Sequence, residues 1–271
     1  MKKVVLITGA SAGMGKETAK LLVQNGYRVY GAARRVEKMD DIKKIGVKPI
    51  YMDITEDETV VSSVNQILAE TNGRIDVLIN SAGFGSHGAI EDVPIKDAKY
   101  QLEVNVFGAM RLIQLVLPSM RENKFGKIVN VSSVGGKLAG PLGGWYHASK
   151  FALEGLSDSL RNEVRPFGID VILIEPGAIK SEWSNIAYDN LIKTSGKGAY
   201  KDMASKFANV IKNSDDKSSD PIVIAKLIKK TIESKNPKAR YAKGHLAKPI
   251  LCVKKITSDK LMDKILASQI K

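Results

Sequence analysis

Residues 2–26 read KKVVLITGASAGMGKETAKLLVQNG, and the order of the parts decides the fold. Val4 to Ile7 is an apolar run of the kind found in a strand buried on both faces. A glycine-rich turn follows directly. Then comes an amphipathic helical stretch, which Gly26 closes as a C-cap signal. Working outward, the same alternation repeats. YRVYGAA, VKPIYMD, RIDVLINSAG, GKIVNVSS and GIDVILIEPG read as strands, and helical segments lie between them, including a long one over about 96–122. Pro49 suggests an edge-like or irregular start to VKPIYMD. Apolar strands alternating with helices predict an α/β fold: one doubly wound domain over 1–271, with a parallel sheet and helices on both faces. Residues 180–220 are polar, rich in Ser, Lys and Gly, and lack strong periodicity; they interrupt the alternation where a substrate lid belongs.

Composition narrows the setting. The 271 residues are 44% hydrophobic, which suits a globular core. The only cysteine is Cys252, so no intrachain disulfide forms and a reducing, cytoplasmic location is expected. His87, His147 and His245 are scattered without metal-ligand spacing, and no metal is expected. The net charge of +13 is unevenly spread: residues 178–271 hold 20 Lys and Arg against 9 Asp and Glu. Such a one-sided field attracts anionic partners. No stacking-aromatic pattern accompanies the lysines, so no specific nucleic acid is expected.

In TGASAGMG, Gly9, Gly13 and Gly15 give GxxxGxG rather than the commoner GxGxxG spacing. The physics is shared: glycines let the backbone approach a pyrophosphate, and free N–H groups at the helix N-terminus bind the anion. NAD enzymes place an acidic residue at the end of the second strand to hold the ribose 2′-hydroxyl. Here that stretch is GAARR, with Ala33 in the acid's place and Arg34 and Arg35 after it. An arginine binds a 2′-phosphate bidentately, which makes NADP(H) the expected cofactor.

In WYHASKF, Tyr146 and Lys150 stand four residues apart in a helical context, so they project from one face. A neighbouring ammonium lowers a phenol's pKa and suits it to proton transfer. The same pair also fits an ordinary amphipathic helix, and the spacing alone does not choose.

The motifs TGASAGMG, Asp53-Ile54, NSAG at 80–83, Asn105, Ser132-Ser133, YHASK at 146–150 and EPG at 175–177 come in one order. In that order the sequence resembles the short-chain dehydrogenase/reductase family over about residues 1–245. The resemblance implies that Tyr146 is the general acid/base and Lys150 its partner on the nicotinamide ribose. Ser133 would hold the substrate oxygen, preferred to Ser132 because it lies at the family's usual interval before the tyrosine. Asn105 would anchor a water leading protons to the lysine. It further assigns Gly9, Ser11, Gly13, Met14 and Gly15 to the pyrophosphate and ribose region. Asp53 and Ile54 would border the adenine, and Asn80, Ala82 and Gly83 the adenosine side. Pro176, Gly177, Ile179 and Ser181 would border the nicotinamide. Ala12 departs from NADP-preferring members, which often carry a basic residue in the loop, so phosphate recognition would rest on Arg34 with help from Ser11 and Arg35. Ser181 stands where threonine is usual and keeps a hydroxyl.

Within the family the chain is most similar to the 17β-hydroxysteroid dehydrogenase-like and retinol dehydrogenase-like subgroup. That implies hydride transfer between nicotinamide and a carbonyl or secondary alcohol on an apolar steroid-, retinoid- or fatty-carbonyl-like substrate. Leu138, Trp145 and Trp183 are candidates for its wall, with ordinary packing as their other reading. The alternative function is a non-catalytic NADP(H)-binding sensor or regulatory protein, which has no reason to keep Ser133, Tyr146, Lys150 and Asn105 together. The family resemblance implies a homodimer or homotetramer, pairing the 96–122 helix and the Tyr146 helix across subunits. The basic tail at 245–271 carries an apolar stripe of Leu261, Met262, Ile265, Leu266 and Ile270. That makes weak contact with an anionic membrane surface a further expectation.

Overall fold

The computed structural model describes residues 2–268, apart from the side chains of Trp183, Ser214 and Asp215. The side chain of Trp183, expected in the substrate wall, and the tail residue Ile270 therefore lie outside the described residues.

Strand β1 (Val4–Thr8) leads through the glycine turn into helix α1 (Gly13–Gln24), and β2 (Arg28–Ala33) runs parallel to β1. The short helix α2 (Asp40–Lys43) precedes β3 (Lys48–Tyr51), and α3 (Asp57–Glu70) precedes β4 (Val77–Asn80). Next come α4 (Ile95–Leu102), α5 (Gly108–Glu122), β5 (Gly126–Val131), α6 (Gly144–Val164) and β6 (Ile169–Pro176). Helices α7 (Trp183–Ser195), α8 (Lys201–Ser214) and α9 (Ile222–Glu233) are followed by β7 (Arg240–Lys243). Helices α10 (Ala247–Ile256) and α11 (Asp259–Ser268) complete the described chain.

The strands form one parallel sheet in the order β3-β2-β1-β4-β5-β6-β7. Strand side chains alternate between faces. Val4 and Leu6 therefore join the core under α3 and α5, while Val5 and Ile7 join the core under α1 and α9. Each fully buried Leu or Ile there contributes about 1.5–3 kcal/mol. The order reverses between β1 and β4, and the crevice beyond the strand ends at such a reversal is where open α/β sheets bind ligands. Among the described residues, no helix is long and apolar enough to cross a membrane.

Three elements differ from the sequence reading. The helix over 96–122 is broken by a π-turn at Glu103–Phe107, which turns Asn105 into the interior. Residues 180–220 contain two helices, α7 and α8. They pack on each other through Ala187, Leu191, Ala204, Ala208 and Ile211, with Phe207 against them. Alanines carry much of that contact, which leaves little hydropathy pattern. β7 was not read as a strand; it has four residues, only partly buried, at the sheet edge.

Candidate active site

The site is a cavity of about 780 Å³ over the C-terminal strand ends, reaching from the glycine turn to α7 and α8. The glycine turn shows why its residues are glycines. Gly9 has φ +70°, and a Cβ on Gly15 would run into the Gly9 carbonyl. Helix α1 has no side-chain cap and no acidic residue in its first turn. Its first N–H groups and dipole therefore face the cavity and suit a pyrophosphate. Thr8 Oγ1 accepts from the Ser81 and Ala82 N–H groups at 3.1 and 3.0 Å, pinning the end of β4 beside the turn. Ser11, Met14, Asp53, Ile54, Ala82, Gly83, Pro176, Gly177, Ile179 and Ser181 all line the cavity, so the residues present fit a nicotinamide dinucleotide.

Asn80 does not line it. Its side chain is buried inside the sheet layer, donating to Asn130 Oδ1 of β5 at 2.9 Å. The carbonyl ends of β1, β4 and β5 are thus tied by side chains, and the wall is left to Ser81 through Gly83. The basic pair is divided. Arg34 donates to the Tyr100 hydroxyl at 2.9 Å and lies 3.7 Å from Asp53. Arg35 pairs with Glu182 at 2.8 Å, just before α7, and Lys38 meets the same carboxylate at 3.2 Å.

At the other end, Ser133 is extended beyond β5, and its Oγ accepts from the Gly135 N–H at 3.0 Å. That leaves its own hydrogen for Tyr146, to which it is hydrogen bonded. Burial raises the Tyr146 pKa, and the Ser133 bond only partly opposes this. Lys150 follows four residues along α6. Its ammonium is buried and donates to the Val131 carbonyl at 2.9 Å. Burial brings it down to about 8, against the attraction of Glu154. Ser132 lines the same cavity, but its Oγ is buried with no hydrogen-bond partner among the described residues.

Asn105 Nδ2 donates to the Phe84 carbonyl at 3.0 Å and to Ser149 Oγ at 2.9 Å, and Oδ1 accepts from the Phe84 N–H at 3.2 Å. Both amide hydrogens are used, so the side chain braces the end of the NSAG segment against α6. Leu138 lines the cavity, but Trp145 does not. One residue from Tyr146 on a helix, Trp145 is rotated away from the cavity-facing side.

Two histidines passed over in the sequence flank the tyrosine. The His87 ring is 5.8 Å from Tyr146 and 6.0 Å from Phe207 of α8. Burial brings its pKa down to about 4, so it is neutral. The His147 ring is 5.7 Å from Tyr146; Nε2 accepts from the Gly140 N–H, and Nδ1 lies 3.0 Å from the Gly135 carbonyl. An accepting Nε2 puts the proton on Nδ1. No spacing signal marked His87, because its segment and α6 meet only in the fold; His147 is the direct neighbour of Tyr146 on α6.

Comparison with known proteins agrees with this geometry. A short chain dehydrogenase family model matches residues 3–190. The chain is 37% identical over 254 residues to a 3-ketodihydrosphingosine reductase of Bacteroides thetaiotaomicron, covering 93% of this chain and 92% of that one. It is 31% identical over 286 residues to an NADPH-dependent 3-dehydrocapnine reductase of Ornithobacterium rhinotracheale, covering 99% and 98%. A solved short-chain dehydrogenase of Streptomyces avermitilis superimposes with a TM-score of 0.82 at 33% identity, covering 98% and 94%. The chain belongs to the short-chain dehydrogenase family, and it is an NAD(P)-dependent oxidoreductase acting on CH–OH and C=O groups.

Proposed function

We propose that the protein is an NADPH-dependent reductase of a ketone carried on a long apolar chain. The observation that carries this reading is Tyr146, held protonated at the inner end of a cavity whose wall continues onto the lid helices. Leu138, Ile186 and Phe207 give that wall its apolar character, and Ser184 and Asn190 add polar points. The relatives whose names state a substrate support the class, one naming the ketone of a long-chain base. The steroid- and retinoid-directed subgroup expected from sequence is the second reading, resting on motif likeness alone. For the cofactor, Ala33 in place of an acid and Arg34 at the mouth support NADPH over NADH.

NADPH, when bound, supplies the hydride to the carbonyl carbon. Ser133, whose Oγ already accepts from Gly135, turns its hydroxyl hydrogen toward the substrate oxygen. Tyr146 gives that oxygen its proton, and a phenol kept protonated by burial is in the right state to do so. Lys150 places positive charge behind the phenol, which favours the phenolate left after transfer. Asn105 is a positioning residue that fixes Ser149 and hence the turn of α6 bearing Tyr146. Residues 180–220 act as the substrate lid.

Exposed Phe107, Phe151 and Leu156 on the π-turn and α6 support a homodimer or homotetramer built on these helices. Exposed Leu246, Ile256 and Leu261, set among the tail lysines, support weak contact with an anionic membrane surface from a cytoplasmic location.

The test is NADPH oxidation with 2-amino-3-ketones of increasing chain length beside steroid ketones and retinal. Turnover rising with chain length is expected. Preference for the rigid ring systems would replace the substrate reading, and faster turnover with NADH would replace the cofactor reading.

A further inference from the structure

Tyr146, Lys150, Glu154 and Asp158 stand at successive intervals of four along α6, so one helix face runs from the phenol down to two carboxylates. Glu154, 3% exposed, is held by Lys137 at 2.7 Å and by Arg240 of β7 at 3.1 Å. Arg240 also reaches Asp158 at 2.5 Å and lies 3.3 Å from Glu175 on β6. Asp158 is further paired with Arg161. Gly136 leaves room for the Glu154 side chain: a Cβ there would lie 2.8 Å from Ser132 Oγ, 3.0 Å from Glu154 Cγ and 3.2 Å from the Lys150 carbonyl oxygen. Glu154 Oε1 has no hydrogen-bond partner among the described residues, and neither has Glu175 Oε1.

A buried carboxylate needs compensation, and so does a buried ammonium. Lys150 has only a neutral carbonyl as its hydrogen-bond partner, so its charge depends on a more distant anion. Glu154, one helical turn away, is that anion. We propose that Glu154 is a positioning residue of the reaction: its carboxylate keeps Lys150 protonated behind Tyr146, and Lys137 and Arg240 hold that carboxylate in place. The proposal rests on the Tyr146–Lys150 reading above and adds a third, non-reacting member to it. Glu154 is also the charged group that opposes the effect of burial on Lys150, and Glu175 is pushed up by burial and by Glu154 itself.

The test is the titration of Lys150 in the cofactor-free protein, followed by NMR of Cε-labelled lysine and assigned with Lys150→Arg. Glu154→Gln is expected to lower the Lys150 midpoint by about one pH unit or more. The basic limb of the kcat profile moves the same way. Glu154→Asp restores much of the shift. Lys137→Met, at a half-exposed position, removes a cation and is expected to move the midpoint upward, which keeps the test available if Glu154→Gln does not fold. A midpoint unmoved in a folded variant of either kind would overturn the proposal. Full turnover in Tyr146→Phe would instead overturn the catalytic reading beneath it, so the two failures are distinct.

Discussion

Asn105 gives one amide hydrogen to Ser149 on α6 at 2.9 Å and the other to the Phe84 carbonyl at 3.0 Å. Because it sits in a π-turn, one extra residue in the helix aims this carboxamide inward. The segment after β4, the π-turn and α6 are thereby held in one geometry. Asn105→Ala removes these buried hydrogen bonds at a cost of about 1–3 kcal/mol in stability. Thermal unfolding will report that loss, and kcat is expected to fall with KM for NADPH little changed. An unchanged kcat in a folded variant would remove Asn105 from the positioning role.

Arg35 is bound by Glu182, an acid on the lid side, while Arg34 leans on Tyr100. A 2′-phosphate brought to this corner competes with Glu182 for the same guanidinium. Glu182→Gln is expected to tighten NADPH by about two- to fivefold, the scale of an exposed ion pair, without affecting NADH. Arg34→Ala is expected to weaken NADPH about tenfold or more, with NADH again unaffected. Fluorescence titration of both cofactors checks the pair; equal effects on NADH would show that neither residue reads the phosphate.

Gly15→Ala places a methyl group against the Gly9 carbonyl. The turn opens, and the α1 N-terminus no longer meets the pyrophosphate. NADPH binding by the folded variant is expected to be lost in calorimetric titration. Binding at wild-type strength would show that the turn has slack.

His87 supplies a pH dependence of stability. Its folded pKa, about 4, lies below the unfolded value of 6.5, so acid protonates the unfolded chain first. This contribution to stability is constant above about 6.5, falls as the pH drops through the window, and levels off below about 4. The loss across the window is about 3 kcal/mol. Denaturant unfolding between pH 7 and 4, compared with His87→Gln, measures it. Parallel curves for the two proteins would contradict neutral burial of the ring.

Much of the fold was legible because parallel strands buried on both faces are continuous apolar runs, as at Val4–Thr8 and Ile169–Pro176. Pro49 announced an edge, and β3 is one. The lid helices were hidden because Ala204 and Ala208 pack well without raising hydropathy. The π-turn was hidden because 96–122 has helical periodicity on both sides of the inserted residue. Within the site, the glycine turn and the Tyr146–Lys150 pair were visible as local spacings. His87, Phe207 and Glu182 were not, since each meets its partner across more than a hundred residues or only through the tertiary fold. The charge on Lys150 likewise depends on Glu154 being buried and fixed by Arg240, far along the chain.

Tyr146 is the proposed proton donor of an NADPH-dependent ketone reduction. The direct measurement is the loss of nicotinamide absorbance with NADPH and a long-chain 2-amino-3-ketone, for the wild type and for Tyr146→Phe. Wild-type turnover is expected to fall by about 10²–10⁴-fold in the variant, while NADPH affinity stays the same. Turnover in Tyr146→Phe at the wild-type rate, with NADPH affinity intact, would contradict it.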